Sequence, residues 1–112
     1  MVKNIIKFLV SGFAVYATAY LLNGVTVSDF KVALIVALVL AALNLLVKPI
    51  LTILSLPITI LSLGLFTFVI DALMVLIASK IVPGFTVDGF LTAIMFSLVL
   101  SIVSFVLHKV ID

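Results

Sequence analysis

Apolar residues dominate this chain so strongly that its outer surface cannot be suited to water. Hydrophobic residues make up 67% of the sequence and charged residues only 9%, whereas a soluble domain is about one quarter charged. The exterior must therefore face lipid. A helix needs roughly 20 apolar residues to cross the hydrocarbon core, so 112 residues allow four spans and almost nothing more. The sequence predicts an all-α, polytopic membrane protein with four transmembrane helices.

The few charged and reactive residues exclude several functions. There is no cysteine, and hence no disulfide framework, thiol nucleophile or thiolate metal site. Six scattered lysines and no arginine form no phosphate-binding patch, which argues against nucleic-acid binding. His108 stands alone beside Lys109, so we predict no metal site, no cofactor and no catalytic residue. The lipid bilayer is the expected partner, with a second copy or other membrane proteins as further candidates.

Four apolar segments are candidate spans, and the second is slightly short unless Lys31 and Lys48 extend to the interface at its ends. They cover about residues 5–22, 32–47, 58–80 and 91–107. Ser28 or Asp29 can cap the second helix, and Asp88 the fourth, by accepting bonds from free backbone N–H groups. The second helix can also continue through Pro49 with a kink and stop before Pro57, because the residue before a proline disfavours the helical conformation.

Lysines near the span ends predict the orientation. If the N-terminus lies in the cytoplasm, four lysines fall inside and two outside, which agrees with the positive-inside rule. The inner lysines are Lys3, Lys7, Lys48 and Lys109, and the outer ones are Lys31 and Lys80. We therefore predict that both termini are cytoplasmic. The first segment, with its Ala17-Thr18-Ala19 triplet, also fits a cleavable signal peptide, but an internal repeat favours its retention.

The repeat is visible when the chain is shifted by sixty residues. Gly24-Val-Thr-Val-Ser-Asp-Phe30 then lies over Gly84-Phe-Thr-Val-Asp-Gly-Phe90, and such a shared link is hard to obtain by chance. We predict one membrane domain over residues 1–112, built from two tandem two-helix repeats at about 5–50 and 65–110. Each repeat has two spans, so both insert the same way up and are related by an axis along the membrane normal.

Small residues recur four apart on one face of the second and fourth spans. They are Ala33, Ala37 and Ala41 in the second span, and Ala93, Ser97 and Ser101 in the fourth. In lipid, helices associate through small residues that let their backbones approach. The two spans are therefore predicted to cross closely at these faces, although alanine and serine are also common in apolar helices without such a role.

In the stretch from Asn44 to Asp71, which joins the two halves, two prolines, a glycine and several polar residues interrupt an otherwise apolar run. It contains Asn44, Lys48-Pro49, Leu56-Pro57, Leu63-Gly64-Leu65-Phe66 and Asp71. Together with Pro83-Gly84-Phe85 and Gly89-Phe90, these motifs resemble the phage holin family (holin superfamily IV, the mycobacterial four-span type) over about residues 4–107. The family typically has Asn at the position of Asp71 and Thr at that of Ser62. The resemblance implies a polytopic bacterial inner-membrane protein and assigns no catalytic or ligand-binding residue.

Asp71 is the most informative polar residue. It lies nine residues before Lys80, which places it near the bilayer midplane. A carboxylate there costs roughly 2.5–3.5 kcal/mol, so it should face protein or water. We expect a neutral acid hydrogen-bonded to Ser97 or Ser101, with a proton or cation site, or a polar contact between protomers, as the alternatives.

The remaining candidates surround the central prolines. Asn44 lies one turn before Lys48 and should bond to another helix or to backbone freed by Pro49. Lys48, Pro49, Pro57 and Gly64 most simply form a cytoplasmic hairpin. A short interfacial or re-entrant helix is the other interpretation, since irregular backbone is tolerated at membrane depth where protein or water satisfies it.

Three functions fit these features. The first is a non-enzymatic inner-membrane protein that assists partner proteins or envelope homeostasis. The second is a holin-like oligomer that permeabilises the membrane, for which the spans offer few polar residues besides Asp71. The third is a subunit of a small transporter or channel. Fold and family name alone do not decide between them.

Overall fold

The computed structural model describes residues 1–111 as a mostly helical protein. Within these residues there are six helices and two short strands. In chain order they are α1 (Val2–Leu21), β1 (Val25–Val27), α2 (Phe30–Leu46), α3 (Lys48–Leu54), α4 (Leu56–Leu61), α5 (Phe66–Ile81), β2 (Phe85–Val87) and α6 (Phe90–Ile111).

Two of the helices, α1 and α6, are long and apolar enough to cross a membrane by themselves. A third candidate span is the pair α2 and α3, which is bent by 41°. The fourth helix, α5, has 16 residues and is about 24 Å long at 1.5 Å per residue, which is shorter than the roughly 30 Å hydrocarbon core. The structure thus supplies two to three candidate spans and meets the four-span expectation only in part.

The predicted third span, residues 58–80, is wrong as a single helix. The chain turns between the end of α4 at Leu61 and the start of α5 at Phe66. Leu63 and Gly64 have φ angles of 58° and 89°, in the left-handed region that a right-handed helix cannot contain. The apolar composition of the segment concealed this break, because a hydrophobic run does not distinguish one helix from two.

The central prolines begin new helices instead of forming an irregular loop. Pro49 lies at the second position of α3, and Pro57 at the second position of α4. Proline is tolerated there because the first turn of a helix does not use its N–H groups. A helix bent at Pro49 and ended before Pro57 therefore describes this region better than a hairpin loop.

The two polar links form a small antiparallel sheet, which the all-α expectation missed. Thr26 of β1 lies opposite Thr86 of β2, and each is the counterpart of the other under the shift of sixty residues. On either side, Ser28 N–H donates to Gly84 O at 3.1 Å and Asp88 N–H donates to Gly24 O at 2.7 Å. These two bonds are likewise related by the shift, so the sheet has a local two-fold axis at its central pair.

The beginning of α2 confirms one predicted cap. Asp29 accepts a hydrogen bond from Val32 N–H at 2.9 Å. The predicted cap of the last helix is wrong in register, because α6 begins at Phe90 and Gly89 is the residue directly before it. Asp88 thus lies one position too early.

The four long helices form a ring in which α1 contacts α2 and α6, and α5 contacts the same two neighbours. Within residues 1–111, α2 and α6 lie across the ring and do not pack closely, so the predicted crossing of the second and fourth spans is wrong. Gly12 explains the pairing that forms instead. A Cβ atom at Gly12 would lie only 3.3 Å from Leu34 Cα, so glycine brings α2 against α1 more closely than the alanine stripe could.

The core lies at the end of the ring that carries the sheet. Phe85 of β2 and Phe96 of α6 are both wholly enclosed, and their ring centroids are 5.6 Å apart. Ala33 and Ala93 are also buried at this end, whereas Ala41 and Ser101 are exposed further along the same helices. The helices are thus packed tightly at the sheet and separate towards the other end.

Candidate functional site

A polar crevice opens where α2 and α6 separate. Its first lobe, of about 130 Å³, lies between α2, α5 and α6 and includes Asn44, Lys48, Asp71, Ser97 and Ser101 in its lining. At about 30 Å³ each, roughly four water molecules would fill it. These residues come from four helices, α2, α3, α5 and α6, and from distant parts of the sequence. The crevice is therefore the main place where polar side chains converge.

The first lobe contains an ion pair between Lys48 and Asp71. The Lys48 Nζ atom lies 2.5 Å from Asp71 Oδ1, and the side chains are 30% and 23% exposed. Lys48 begins α3 at the bend after α2, which turns its side chain towards the second turn of α5. We predicted that Asp71 is a neutral acid bonded to Ser97 or Ser101, and the predicted partner is wrong. Those hydroxyls donate instead to carbonyls of their own helix, Ile94 O and Ser97 O.

The depth predicted for Asp71 also changes. Because α5 begins at Phe66, Asp71 lies five residues, or about 8 Å, from the helix start rather than in the middle of a long span. A short helix with its acid near one end lets Lys48 reach the carboxylate from the bend. Pairing two charges in this way avoids the cost of an isolated carboxylate in a medium of low dielectric constant.

A second lobe, of about 180 Å³, lies between α1, α2 and α6. Ser11 lines it, and the Ser11 hydroxyl lies 3.4 Å from His108 Nε2 while donating to Lys7 O at 3.0 Å. Because the Ser11 proton is directed to Lys7 O, its oxygen is left to accept from an N–H at Nε2. Beside the second lobe there is thus a hydrogen bond to the uncharged Ser11 side chain, where the first lobe has an ion pair.

The two lobes correspond under the shift of sixty residues. Ser11 corresponds to Asp71 and Lys48 to His108, so each polar pair maps onto the other. Leu40 and Leu100 also correspond, and both line both lobes, as does Asn44. The crevice therefore lies around the same approximate two-fold axis as the sheet, and its halves differ mainly in charge.

The predicted site residues divide into two groups. Those that the structure brings to the crevice are Asp71, Asn44, Lys48, Ala37, Ala41, Ser97 and Ser101. Ala33 and Ala93 lie in the core, and Pro49, Pro57 and Gly64 lie in the segment of short helices. Asn44 forms no hydrogen bond with another residue of the described range 1–111, so its amide faces the crevice without a protein partner.

Ser11 and His108 were missed as site residues, although the sequence contained a sign of them. The repeat that aligns the two links also aligns these residues with Asp71 and Lys48. Their significance depended on knowing that Lys48 meets Asp71, which no spacing along one helix indicates. Among residues 1–111, no three His, Asp or Glu side chains come together in a way that could hold a metal ion.

Comparison with known proteins gives the family. The model described as "Mycobacterial 4 TMS phage holin, superfamily IV" matches residues 2–106. The chain belongs to this family. Its similarity to the holin-type motifs around Lys48-Pro49 and Leu63-Gly64 is thereby confirmed, and the protein is a membrane protein of the holin family.

Two relatives match over nearly the whole chain. "Uncharacterized membrane protein YvlD" of Bacillus subtilis is 37% identical over 110 residues, covering 97% of this chain and 92% of the relative. "Uncharacterized protein SCO3922" of Streptomyces coelicolor is 38% identical over 117 residues, covering 95% and 94%. No solved structure gives a significant match. The names of the family and of the relatives indicate no enzyme.

Proposed function

We propose that this chain is a non-enzymatic, multi-pass protein of the bacterial cytoplasmic membrane that assists partner proteins or envelope homeostasis and does not itself perforate the membrane. The observation that carries the proposal is the direction of its polar groups. Asp71, Lys48, Ser11 and His108 face one internal crevice and are bonded in pairs. An oligomer that lines an aqueous hole needs polar side chains on an outward helix face.

The outward faces of the long helices are apolar instead. On α6, for example, Met95, Leu98, Ile102 and Phe105 are exposed. Such a surface suits contact with acyl chains or with an apolar helix of another membrane protein. It offers little for hydrating ions or solutes between protomers.

A holin-like permeabiliser is the second candidate, and the description of the matched family favours it. Overexpression in a bacterial host separates the two functions. We expect no uptake of an impermeant dye and no loss of membrane potential at expression levels confirmed by immunoblot. Dye uptake and depolarisation that depend on expression would contradict the accessory function and support permeabilisation.

We also propose four spans with both termini in the cytoplasm and two repeats inserted the same way up. Under this topology the sheet lies outside, and Lys48 and His108 lie at the cytoplasmic end. Because the chain has no cysteine, labelling of single introduced cysteines shows on which side of the membrane each position lies. A cysteine replacing Val2 or Val110 should react with an impermeant maleimide only in inside-out vesicles, and one replacing Asn23 only in right-side-out vesicles. Labelling of the two termini from opposite sides would refute this topology.

A further inference from the structure

The ion pair joins the two ends of the longest uncharged segment in the sequence. Residues 49–70 are twenty-two consecutive positions without a charged side chain. They include α3, α4 and the first turns of α5. Because Lys48 contacts Asp71 at 2.5 Å, this uncharged segment leaves the bundle and returns to it at the same place. It therefore forms a lobe on one side of the protein, and the two ends of this lobe meet at the ion pair.

The polarity of this segment is the reverse of that of a water-exposed loop. Its most exposed side chains are apolar, with Leu61 at 85% and Leu63 at 93% exposure. Its hydroxyl groups are turned inwards. These half-buried residues are Thr52, Ser55, Thr59 and Ser62, and the Thr59 Oγ1 atom is buried without a hydrogen-bond partner among the described residues. A helix lying on a membrane surface would direct such hydroxyls outwards to water.

The backbone of the turn between α4 and α5 is also satisfied internally. Ser62 contributes most, because its hydroxyl donates to Thr59 O at 3.1 Å and accepts from Phe66 N–H at 3.0 Å. Gly64 N–H donates to Thr59 O at 2.8 Å. The N–H groups of all seven residues from 62 to 68 have an acceptor within the protein. Hydrocarbon imposes this condition on backbone, whereas a turn in water does not need it.

We propose that residues 49–65 form a re-entrant helical hairpin whose exposed face is covered by the acyl chains of the bilayer. Acyl chains fit an apolar surface that is continuous with α2 and α5, against which α3 packs. The lengths restrict the depth. Helices of seven and six residues are about 10 and 9 Å long, less than the roughly 15 Å of one leaflet. The hairpin thus stays within the leaflet from which Lys48 enters.

Spin labels on single cysteines test this proposal in the full-length protein reconstituted in lipid vesicles. Leu54, Leu61 and Leu63 are each replaced by cysteine, with Leu38→Cys on the exposed face of α2 as the lipid-facing control and Asn23→Cys in the outer link as the aqueous control. Collisions of the label with dissolved oxygen, which partitions into lipid, are compared with collisions with a water-soluble nickel chelate.

At Leu54→Cys, Leu61→Cys and Leu63→Cys we expect a ratio of oxygen to nickel collisions close to that at Leu38→Cys, and at least tenfold above that at Asn23→Cys. Ratios like the aqueous control at all three sites would make the segment a cytoplasmic loop. A ratio like the aqueous control at only one or two of the three sites would show that lipid does not cover the hairpin as a whole. Low collision rates with both reagents would show that a second copy covers it. Each of these three results overturns the proposal, and none depends on the cellular function of the protein.

Discussion

The two ends of the crevice have polar pairs at corresponding positions but with different chemistry. In one lobe Lys48 meets Asp71 as an ion pair, and in the other His108 meets Ser11 through a neutral hydrogen bond. The residues correspond under a shift of sixty positions. What differs is the chain that each pair closes, because the uncharged segment of α3 and α4 lies only between Lys48 and Asp71. The comparison indicates that the ion pair holds together the two ends of the long apolar segment between Lys48 and Asp71.

The largest effect should come from leaving a charge alone in the charged lobe. Lys48→Ala leaves the Asp71 carboxylate without its partner, and we expect a loss of roughly 2–3 kcal/mol in the free energy of unfolding, slightly less than for a fully buried pair. Unfolding in mixed detergent micelles measures it. Adding Asp71→Asn should recover most of the loss, because the amide carries no charge. If Lys48→Ala alone is as stable as the wild type, the ion pair does not hold the ends of the segment together.

The next largest loss of stability should come from disturbing the close packing of α1 against α2. Gly12→Ala places a methyl group against Leu34, and its new Cβ would lie 3.3 Å from the Leu34 Cα atom. We expect a loss of about 1–2 kcal/mol in the free energy of unfolding from overpacking. The corresponding residue of the second half, Ala72, is already an alanine in a buried position, so α5 and α6 accommodate the methyl group that α1 and α2 do not. An unchanged stability would mean that α1 and α2 are not as close as described.

A smaller effect should come from the neutral lobe. Ser11→Ala removes the acceptor for His108 and should cost about 0.5–1 kcal/mol, the usual contribution of one hydrogen bond. Ser79→Ala is the matched control, because the Ser79 hydroxyl only donates to Leu76 O within its own helix. The difference between the two variants in the same unfolding assay isolates the contact with His108. If Ser79→Ala costs as much, the neutral lobe contributes nothing.

The smallest effect should be that of replacing Asp29 by glycine at the start of α2. Asp29 caps α2, and glycine occupies the corresponding position before α6. Asp29→Gly should therefore cost only a few tenths of a kcal/mol, and Asp29→Ala about 1 kcal/mol. Equal losses for both variants would indicate that the Asp29 side chain acts through something other than capping.

Sequence patterns predicted the environment of the protein far better than its contacts. Composition indicated lipid, and the motifs around Lys48-Pro49 and Leu63-Gly64 indicated the family, because both depend on residue types alone. The break at Leu63 could not be read from the sequence, since a non-glycine residue with positive φ leaves no compositional trace.

The partner of Asp71 was missed for a related reason. A continuous third span places Asp71 near the bilayer midplane, where Ser97 and Ser101 of the last helix are the expected partners. The bend after α2 brings Lys48 to the carboxylate instead, and helical spacing does not predict a contact made at a bend. Likewise, the alanine stripe did not reveal that α1 and α2 approach closely at Gly12.

Paired cysteines test the central claim, that two corresponding polar pairs face one crevice, most directly. The chain contains no cysteine, so each double variant reports on one pair. We predict that Lys48→Cys/Asp71→Cys and Ser11→Cys/His108→Cys are both cross-linked within one chain by a short bis-thiol reagent in native membranes. Lys31→Cys/Asp71→Cys, which joins the crevice to the opposite end of α2, should not react. Cross-linking of only one of the two pairs, or only between chains, would contradict the shared crevice.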